Sequence, residues 1–331
     1  MKRVLVTGGA GFIGSHLVDA LAAKGCFVRV VDNLVNGRRD NLAAHVEGGR
    51  FNFIEGDITD RETMREAMRD IDTVFHCACL GVRHSLLSPF ENHRVNAEGT
   101  LISLDEALRG RVGRFVYVSS SEVYGTARVA PMTEDHPTHP HTVYGAGKLA
   151  GEAYARAYHR TAGLPAVMIR LFNTYGPRSH YEGSAGELIP KSIVRALNGR
   201  PILIFGDGSQ TRDFTYVGDM ADALMKAAQC DGIAGLTFNV GSGLEMSVKQ
   251  VAQAVIRKSP GGASRIEYCR ARPGDVARLC ADAALFKTRT GWRPATSFEE
   301  GLVRTIEWFT ARPEPPSELL KREVGINWER T

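Results

Sequence analysis

Short apolar runs alternate with longer amphipathic stretches along the first half of the chain. The apolar runs, about five residues long and rich in β-branched side chains, predict strands at Arg3–Thr7, Phe27–Asp32, Phe51–Glu55, Thr73–Cys77, Arg114–Ser119 and Ala166–Arg170. Helical spacing of apolar residues predicts helices at Gly11–Lys24, Arg61–Arg69, Val95–Arg109 and Ala146–Thr161. Because apolar strands that alternate with helices form parallel sheets covered on both faces, we predict a doubly wound α/β architecture.

The pattern changes after about residue 174. Predicted strands become shorter, and glycine, proline and arginine accumulate in short motifs such as Arg272-Pro273-Gly274-Asp275. Amphipathic helices are still predicted at Ser247–Lys258 and Phe298–Thr310. The segment 313–331, rich in proline and charge, is predicted to be a loosely held tail.

The length of 331 residues is typical of two domains. We expect residues 1–174 to form the doubly wound parallel sheet. Residues 175–331 are expected to form a smaller C-terminal α/β lobe, and a return of the chain to the sheet is left open.

Charge and hydropathy narrow the class of partner. Lys and Arg number 41 and Asp and Glu 37, a net charge of +4 with no basic cluster, so we expect no nucleic-acid partner. No run approaches the ~18 consecutive apolar residues of a membrane span. The first predicted strand leaves no room for a signal peptide, so we expect a cytoplasmic protein. The six cysteines are scattered and interpreted as reduced thiols, and we expect no metal site.

A glycine-rich turn joins the first predicted strand to the first predicted helix, in the run Thr7-Gly8-Gly9-Ala10-Gly11-Phe12-Ile13-Gly14. Gly8 permits the tight turn, Gly11 lets the backbone approach a pyrophosphate, and Gly14 lets the helix lie close to the sheet. The N-terminus of that helix offers free N–H groups to the phosphates. The turn therefore predicts a dinucleotide-binding (Rossmann) domain.

Asp32 ends the second predicted strand, 18 residues after Gly14. A carboxylate there accepts hydrogen bonds from both ribose hydroxyls and repels a 2′-phosphate, which favours NAD over NADP. Arg38 and Arg39 weaken the inference of NAD, because an arginine can bind a 2′-phosphate. The structural alternative for Asp32 is a solvated residue at the end of a strand. Asp57, after the third strand, is placed to meet an adenine edge or to form a structural turn.

Tyr144 and Lys148, spaced i and i+4, share one face of a predicted helix. A phenol that acts as a base near neutral pH must have its pKa lowered from about 10 to about 7. One adjacent cation lowers a pKa by about 1 to 3, so Lys148 alone is marginal and the positive nicotinamide ring of NAD⁺ would supply the rest. The structural alternative is that Tyr144 and Lys148 are only neighbouring side chains on the exposed face of a helix.

Three serines, Ser119-Ser120-Ser121, end the fifth predicted strand. Ligands bind outside the carboxyl ends of the strands in such sheets, so the serines are candidate site residues. A turn stabilised by serine side chains is the structural alternative.

Together these motifs resemble the extended short-chain dehydrogenase/reductase family, and more closely its NAD-dependent nucleotide-sugar epimerases and dehydratases, the UDP-glucose/UDP-galactose 4-epimerases among them. The resemblance spans residues 2–310. It is carried by Thr7–Gly14, Asp32, Ser119-Ser-Ser-Glu-Val-Tyr-Gly125, Tyr144 with Lys148, and Arg170-Leu-Phe-Asn-Thr-Tyr-Gly-Pro-Arg178. It implies a nucleoside-diphosphate sugar as substrate, with the nucleotide held by the C-terminal lobe and the hexose presented to the nicotinamide.

The resemblance also implies roles for individual residues. Tyr144 would be the base that takes the proton of the sugar 4-hydroxyl, and Ser120 would hydrogen-bond the same hydroxyl. Lys148 would lower the pKa of Tyr144 and hold the nicotinamide ribose. The cofactor contacts implied are Gly8, Gly11, Phe12, Ile13, Gly14, Asp32, Asn33, Asn36, Gly37, Asp57, Ile58, Cys77, Ala78, Cys79, Asn96, Ser119, Tyr144, Lys148 and Leu171.

For the substrate, the resemblance implies that Asn173 holds the phosphate region and that Leu188–Pro190 and Ile202–Phe205 flank the nucleobase. Arg212, Arg272 and Asp275 would grip the diphosphate and its ribose, and paired arginines suit a diphosphate because they bind it bidentately. Solvated loop arginines are the structural alternative. The substrate contacts implied are Arg83, Ser120, Ser121, Asn173, Leu188, Ile189, Ile202, Phe205, Arg212, Arg272 and Asp275.

The resemblance leaves the reaction open. A 4-epimerase needs only the Ser/Tyr/Lys set, whereas a 4,6-dehydratase also needs an acid and a base, supplied in that subfamily by a Thr-Asp-Glu run. Here Glu122 is a candidate base, but Ser121 stands where the acid should be and is a poor proton donor. Some dehydratases and uronate decarboxylases carry Ser-Glu at this position, so these two reactions stay open. The alternative for Glu122 is a structural role, such as pairing with Arg83 or with a backbone amide. The loop Arg272–Arg278 resembles the epimerase form, so a 4-epimerase is favoured.

Further expectations follow from the resemblance. Hexose-specific epimerases carry a tyrosine where this chain has Leu279, so an N-acetylated or larger sugar would fit. A non-catalytic, nucleotide-binding regulator is a remote alternative. Such relatives typically lose the tyrosine or the lysine, whereas this chain has both Tyr144 and Lys148. The family also implies a homodimer through the helices that follow Val95 and Ala146, and Ala150, Ala153 and Ala157 would permit close helix approach.

Overall fold

The computed structural model describes residues 1–46, 49–260, 264–272 and 275–328. Its strands are β1 (Arg3–Thr7), β2 (Phe27–Asp32), β3 (Phe51–Glu55), β4 (Thr73–His76), β5 (Arg114–Ser120), β6 (Ala166–Leu171), β7 (Asn173–Tyr175), β8 (Ile202–Phe205), β9 (Thr211–Tyr216), β10 (Thr237–Val240), β11 (Glu245–Ser247) and β12 (Ile266–Cys269). Its α-helices are α1 (Phe12–Ala23), α2 (Arg61–Ala67), α3 (Val82–Leu87), α4 (Pro89–His93), α5 (Thr100–Arg109), α6 (Val143–Ala162), α7 (Leu188–Leu197), α8 (Val217–Gln229), α9 (Val248–Lys258), α10 (Ala284–Thr290), α11 (Phe298–Thr310) and α12 (Pro316–Arg322).

Within the described residues, a seven-stranded sheet runs in the order β10-β6-β5-β4-β1-β2-β3. Every neighbouring pair in it is parallel. Buried side chains of the strands pack against α1 and α8 on one face and against α2, α5 and α6 on the other. The predicted doubly wound fold is confirmed, and β10 brings the chain back to the sheet from the C-terminal part.

The C-terminal lobe is built on two small sheets, β11-β9-β7 and β12-β8. Its apolar core joins α7, α9 and α11 to these strands. Serine caps begin two of these helices: Ser247 and Ser297 each form a capping box with the residue three positions later, Gln250 and Glu300. Among the described residues, no helix combines the length and the apolar composition that crossing a membrane requires.

Two segments differ from the sequence-based expectation. The helix predicted from Val95 is a π-type turn over Arg94–Gly99 and becomes α-helical only at Thr100. The tail predicted to be loosely held from residue 313 forms α12, whose Leu319 is fully buried. An apolar anchor therefore holds this segment on the lobe, and only residues 329–331 of the tail lie outside the described residues.

Candidate active site

A cavity of about 560 Å³ extends from the carboxyl ends of the sheet strands into the C-terminal lobe. It begins at the crevice between β1 and β4, where the strand order reverses and where open α/β sheets bind their ligands. The sequence-predicted residues that line it are Gly8, Gly11, Phe12, Ile13, Gly14, Asp32, Asn33, Asn36, Gly37, Asp57, Ile58, Cys77, Ala78, Cys79, Arg83, Ser119, Ser120, Ser121, Glu122, Tyr144, Lys148, Leu171, Asn173, Leu188, Ile189, Phe205, Arg212, Arg272 and Asp275.

Asn96 and Ile202 were predicted as site residues, but neither lines the cavity. Asn96 is buried, and its side-chain amide bonds the backbone N–H and carbonyl of Leu80 at 2.9 Å each, so it shapes a loop and does not line the cavity. Ile202 is buried in the core of the C-terminal lobe. Because successive side chains of a strand point to opposite faces, Leu203 lines the cavity instead.

The glycine-rich turn faces the cavity at the N-terminus of α1. Gly8 has a φ of +68°, and a Cβ there would lie 2.7 Å from the Cα of Ala78, so only glycine permits this approach. Gly11 precedes α1 without a side-chain cap, which leaves first-turn N–H groups available to an anion. The turn therefore fits the pyrophosphate of a dinucleotide.

Asp32 lies at the end of β2 in the same wall of the cavity. Its carboxylate accepts hydrogen bonds from the backbone N–H groups of Ala10 at 2.9 Å and Leu34 at 2.8 Å. Burial raises the pKa of this carboxyl, and the two backbone N–H groups partly offset the shift. A fixed carboxylate in this position fits two ribose hydroxyls.

The arginines that weakened the inference of NAD are paired elsewhere. Arg38 forms an ion pair with Glu182, and Arg39 forms one with Glu55 at 2.5 Å. Neither arginine lines the cavity. Among the described residues that line this wall, no arginine lies beside Asp32 to bind a 2′-phosphate.

Asp57 is held in a local turn that also lines the cavity. Its carboxylate accepts from the N–H and hydroxyl of Thr59, at 2.8 and 2.7 Å, and from the side-chain amide of Asn33 at 2.8 Å. Burial opposes the charge, but these hydrogen bonds lower the pKa of Asp57 overall. Both interpretations of Asp57, the turn and the cofactor contact, are compatible with this position.

Ser120, Tyr144 and Lys148 come together where β5 meets the first turns of α6. A Cβ on Gly145 would lie 2.5 Å from the carbonyl oxygen of Glu122, so glycine at this position lets the helix approach the strand end. The phenol of Tyr144 lies close enough to Ser120 for the serine to lower the pKa of the phenol. Lys148 is buried and donates from Nζ to the carbonyl of Val118 at 2.9 Å. The i, i+4 pair therefore faces the serine, as base chemistry at a hydroxyl requires.

Burial opposes ionisation of the Tyr144 phenol. Burial raises the pKa of Tyr144 well above its usual range, and the neighbouring Cys79 adds to the rise, whereas Ser120 lowers the pKa. Lys148 alone therefore does not make the phenol a base near neutral pH. A further positive charge in the cavity is needed, and the nicotinamide ring of NAD⁺ would supply one.

Glu122 lies beyond the serines among charged residues of the cavity. Burial raises the pKa of this carboxyl, Arg212 and Arg83 lower it in part, and Asp275 raises it further. Ser121 is buried and occupies the first position of the short helical turn that contains Glu122. The site therefore offers one carboxylic acid here and a hydroxyl, not a second acid, beside it.

The part of the cavity within the C-terminal lobe is rich in cations. Arg212 contacts Asp275 at 2.8 Å. Buried polar atoms that have no partner among the described residues include Nε of Arg272 and Oδ1 of Asn173, and α3 contributes a further one, Nε of Arg83. Donors and acceptors left unpaired at a cavity wall fit an anionic, polyhydroxylated ligand. Pro273 and Gly274, the centre of the predicted motif, lie outside the described residues.

Leu279 is not part of the cavity lining. It is fully buried with Val123, Tyr124 and Met132. The side chain therefore packs behind the cavity wall, and the expectation that an N-acetylated sugar fits stays a prediction.

Several lining residues were missed by sequence reasoning. They include Glu187, Lys191, Glu323 and Asn327, which come from the start of α7 and from the C-terminal segment. Burial raises the pKa of Glu187 to about 7 and lowers that of Lys191 to about 8. The C-terminal segment was misjudged because its charged residues were taken as solvated, whereas the Glu323 side chain is 3% exposed and pairs with Lys191 and Arg195.

Most of the chain matches a known protein family. Residues 5–305 match the family model described as GDP-mannose 4,6 dehydratase. The chain belongs to this family. The resemblance to the extended short-chain dehydrogenases/reductases that act on nucleotide sugars is thereby confirmed, but the description of the family does not fix the reaction of each member.

Relatives within the family carry different activities in their names. The chain is 38% identical over 310 residues to a UDP-glucose 4-epimerase of Mycolicibacterium smegmatis, covering 93% of this chain and 98% of that protein. It is 33% identical over 317 residues to UDP-glucuronic acid decarboxylase 1 of Arabidopsis thaliana, covering 94% of this chain and 70% of that protein. The relationship therefore supports an enzyme and leaves its class open.

A solved structure of the family supports both fold and cofactor. The dTDP-glucose 4,6-dehydratase DesIV of Streptomyces venezuelae, crystallised with NAD bound, matches with a TM-score of 0.86 and 33% identity over 93% of this chain and 97% of that one. The fold is that of a Rossmann-type family member. The predicted cofactor, NAD, is the one that this neighbour binds.

Proposed function

We propose that this protein is an NAD-dependent nucleotide-sugar 4-epimerase. The observation that carries the proposal is the convergence of Ser120, Tyr144 and Lys148 in the cavity, with a hydroxyl at Ser121 in place of a carboxylic acid. These three side chains suffice for reversible oxidation of a sugar carbon. A 4,6-dehydratase needs in addition an acid for the departing 6-hydroxyl.

NAD, which the turn at Gly8–Gly14 and Asp32 would hold, would supply the redox chemistry when bound: a hydride removed from sugar carbon 4, leaving a 4-keto sugar, and returned to the opposite face. Tyr144 accepts the proton of the 4-hydroxyl during oxidation and returns it to the carbonyl oxygen during reduction, so protons and electrons balance over one cycle. Ser120 orients that oxygen through its hydroxyl. Lys148, fixed on the carbonyl of Val118, holds a positive charge beside the phenol.

The cofactor and the sugar nucleotide would bind at different parts of the cavity. The turn at Gly8–Gly14 and the carboxylate of Asp32 would hold the pyrophosphate and adenosine ribose of NAD. In the C-terminal lobe, Arg212 and Arg272 would hold the diphosphate of the sugar nucleotide. The named substrates of the relatives are UDP- and dTDP-linked sugars, which supports a uridine or thymidine diphosphate sugar as the substrate class.

Glu122 favours a second candidate function. It lines the cavity near the proposed base Tyr144, and burial raises the pKa of its carboxyl, which suits a group that moves a proton. A carboxylate there could remove the proton of sugar carbon 5. The alternative is therefore a 4,6-dehydratase, or a uronate decarboxylase that needs no acid for a leaving hydroxyl.

A panel of nucleotide sugars followed by NMR in deuterated water separates these functions. We expect inversion at carbon 4 with no deuterium at carbon 5. Deuterium at carbon 5 with a 6-deoxy-4-keto product would establish the dehydratase, and release of CO₂ from a uronate would establish the decarboxylase. NAD bound without turnover of any sugar in the panel would favour a regulator.

We also propose a homodimer through α5 and α6. Ala153 and Ala157 on α6 are exposed, and Leu101 on α5 is 36% exposed, so a second copy can approach this face closely. Light scattering of the purified protein tests this, and replacing Ala153 with Glu should yield a monomer.

A further inference from the structure

The segment from Glu323 to Trp328 forms part of the cavity wall. The Glu323 carboxylate pairs with Arg195 at 2.6 Å and with Lys191 at 3.3 Å. Lys191 also donates from Nζ to the carbonyl of Gly325 at 3.0 Å. Both Glu323 and Asn327 line the cavity, so this segment is fixed to α7 and belongs to the site.

Trp328 ties the same segment to the residues proposed to bind the nucleotide. Its ring meets Phe205 edge-on, with ring centres 4.4 Å apart. The guanidinium carbon of Arg272 lies 4.5 Å from the centre of the Trp328 ring. The segment therefore lies beside the predicted nucleobase contacts of β8.

Asn327 lines the cavity and carries a buried acceptor that has no partner among the described residues. The residue is 4% exposed, and its Nδ2 donates to the carbonyls of Gly186 at 2.9 Å and Ser184 at 3.3 Å, with that of Gly183 at 3.5 Å. Rotating the amide by 180° would place Oδ1 against these carbonyls, so the orientation is fixed. Its Oδ1 is buried and has no partner among the described residues.

A buried acceptor of this kind calls for an N–H donor on the ligand. Leu203 and Phe205, from the same region, offer apolar walls to a flat ring. Uracil and thymine, the bases of the nucleotides proposed above, share an imide N3–H between two carbonyl groups. We propose that Asn327 is a specificity residue whose Oδ1 accepts a hydrogen bond from this imide N–H. The inference rests on the proposed function, since it assigns the base of the same substrate.

Calorimetric titration of the full-length protein with UDP and with its 3-methyluridine analogue tests the assignment. The methyl group removes the N3–H, so the wild-type protein should bind the analogue roughly tenfold or more weakly, because a buried acceptor is left unpaired. Asn327→Ala should bind UDP weakly, by a similar factor, and should bind the two ligands nearly equally. A simple steric clash of the methyl group would not weaken the binding of UDP by the variant.

Asn198→Ala is the matched control. Asn198 also holds the C-terminal region, donating from Nδ2 to the carbonyl of Pro316 at 2.9 Å, but it does not line the cavity. We expect it to keep the wild-type preference for UDP over the analogue. Equal wild-type affinities for the two ligands, or an unchanged preference in Asn327→Ala, would overturn the assignment. Turnover is a separate test of the proposed function. If the protein turns over a nucleotide sugar but shows no base preference, only the assignment of Asn327 fails. If it shows the base preference but turns over no nucleotide sugar, only the proposed function fails.

Discussion

The Nζ of Lys148 lies 6.0 Å from the centre of the Tyr144 ring, one helical turn away on α6. The ammonium is held by the carbonyl of Val118 and does not move freely toward the phenol. The pair therefore places a fixed ammonium beside a buried hydroxyl, and in the mechanism proposed above the charge of oxidised cofactor adds to that of Lys148.

Replacing Tyr144 with Phe should lower turnover by about 10²- to 10⁴-fold while NAD stays bound, since the phenol oxygen is the proposed proton acceptor. Steady-state kinetics and a titration with NADH give the two measurements. Tyr158→Phe is the control, because Tyr158 lies on the same helix but bonds Asp105 at 3.3 Å and does not line the cavity. A Tyr144→Phe enzyme with undiminished turnover would remove this residue from the mechanism.

Replacing Asp32 with Ala should weaken NAD binding by about 10- to 100-fold, because hydrogen bonds between ribose hydroxyls and a carboxylate are lost. Fluorescence titration with NADH measures the change. Asp40→Ala, an exposed carboxylate in the following turn, should bind NADH as the wild type does. If both variants bind equally well, Asp32 is only a strand-end residue that orders its own turn.

The N-terminal half could be predicted from the sequence because its signals are local. The strand–glycine turn–helix at Gly8–Gly14 and the i, i+4 pair of Tyr144 and Lys148 require only short-range patterns. The position of Asn327 could not be predicted, since it depends on contacts between the C-terminal segment and the loop 183–186, about 140 residues earlier in the chain. The loop-supporting hydrogen bonds of Asn96 to Leu80 could not be predicted either, because they depend on how two loop segments meet in space.

Replacing Arg212 with Ala should raise the Kd for UDP by about 10- to 100-fold, because the proposed diphosphate contact is charge-assisted. Isothermal titration provides the measurement. Arg278→Ala is the control on the neighbouring segment: Arg278 pairs with Glu245 at 2.5 Å and does not line the cavity. An equal loss in both variants would point to a general effect of charge.

Glu187 should make the free energy of unfolding depend on pH. Burial raises its pKa from 4.5 to about 7 in the folded state, so the folded protein holds this proton more tightly than the unfolded chain does. The associated stability is fully present below pH 4.5 and is lost as the pH rises to about 7. Urea unfolding at pH 5 and pH 7.5 should show the wild type losing about 2 kcal/mol relative to Glu187→Gln. Parallel pH dependence of the two proteins would exclude a raised pKa at Glu187.

Deuterium placed on carbon 4 of the nucleotide sugar follows the hydride itself. We expect an epimerised product that carries the deuterium on carbon 4, because the same hydride returns to the opposite face and Ser121 supplies no acid for loss of the 6-hydroxyl. The NMR spectrum of the product reports its position. Deuterium on carbon 6 of a 6-deoxy-4-keto sugar would contradict the 4-epimerase assignment.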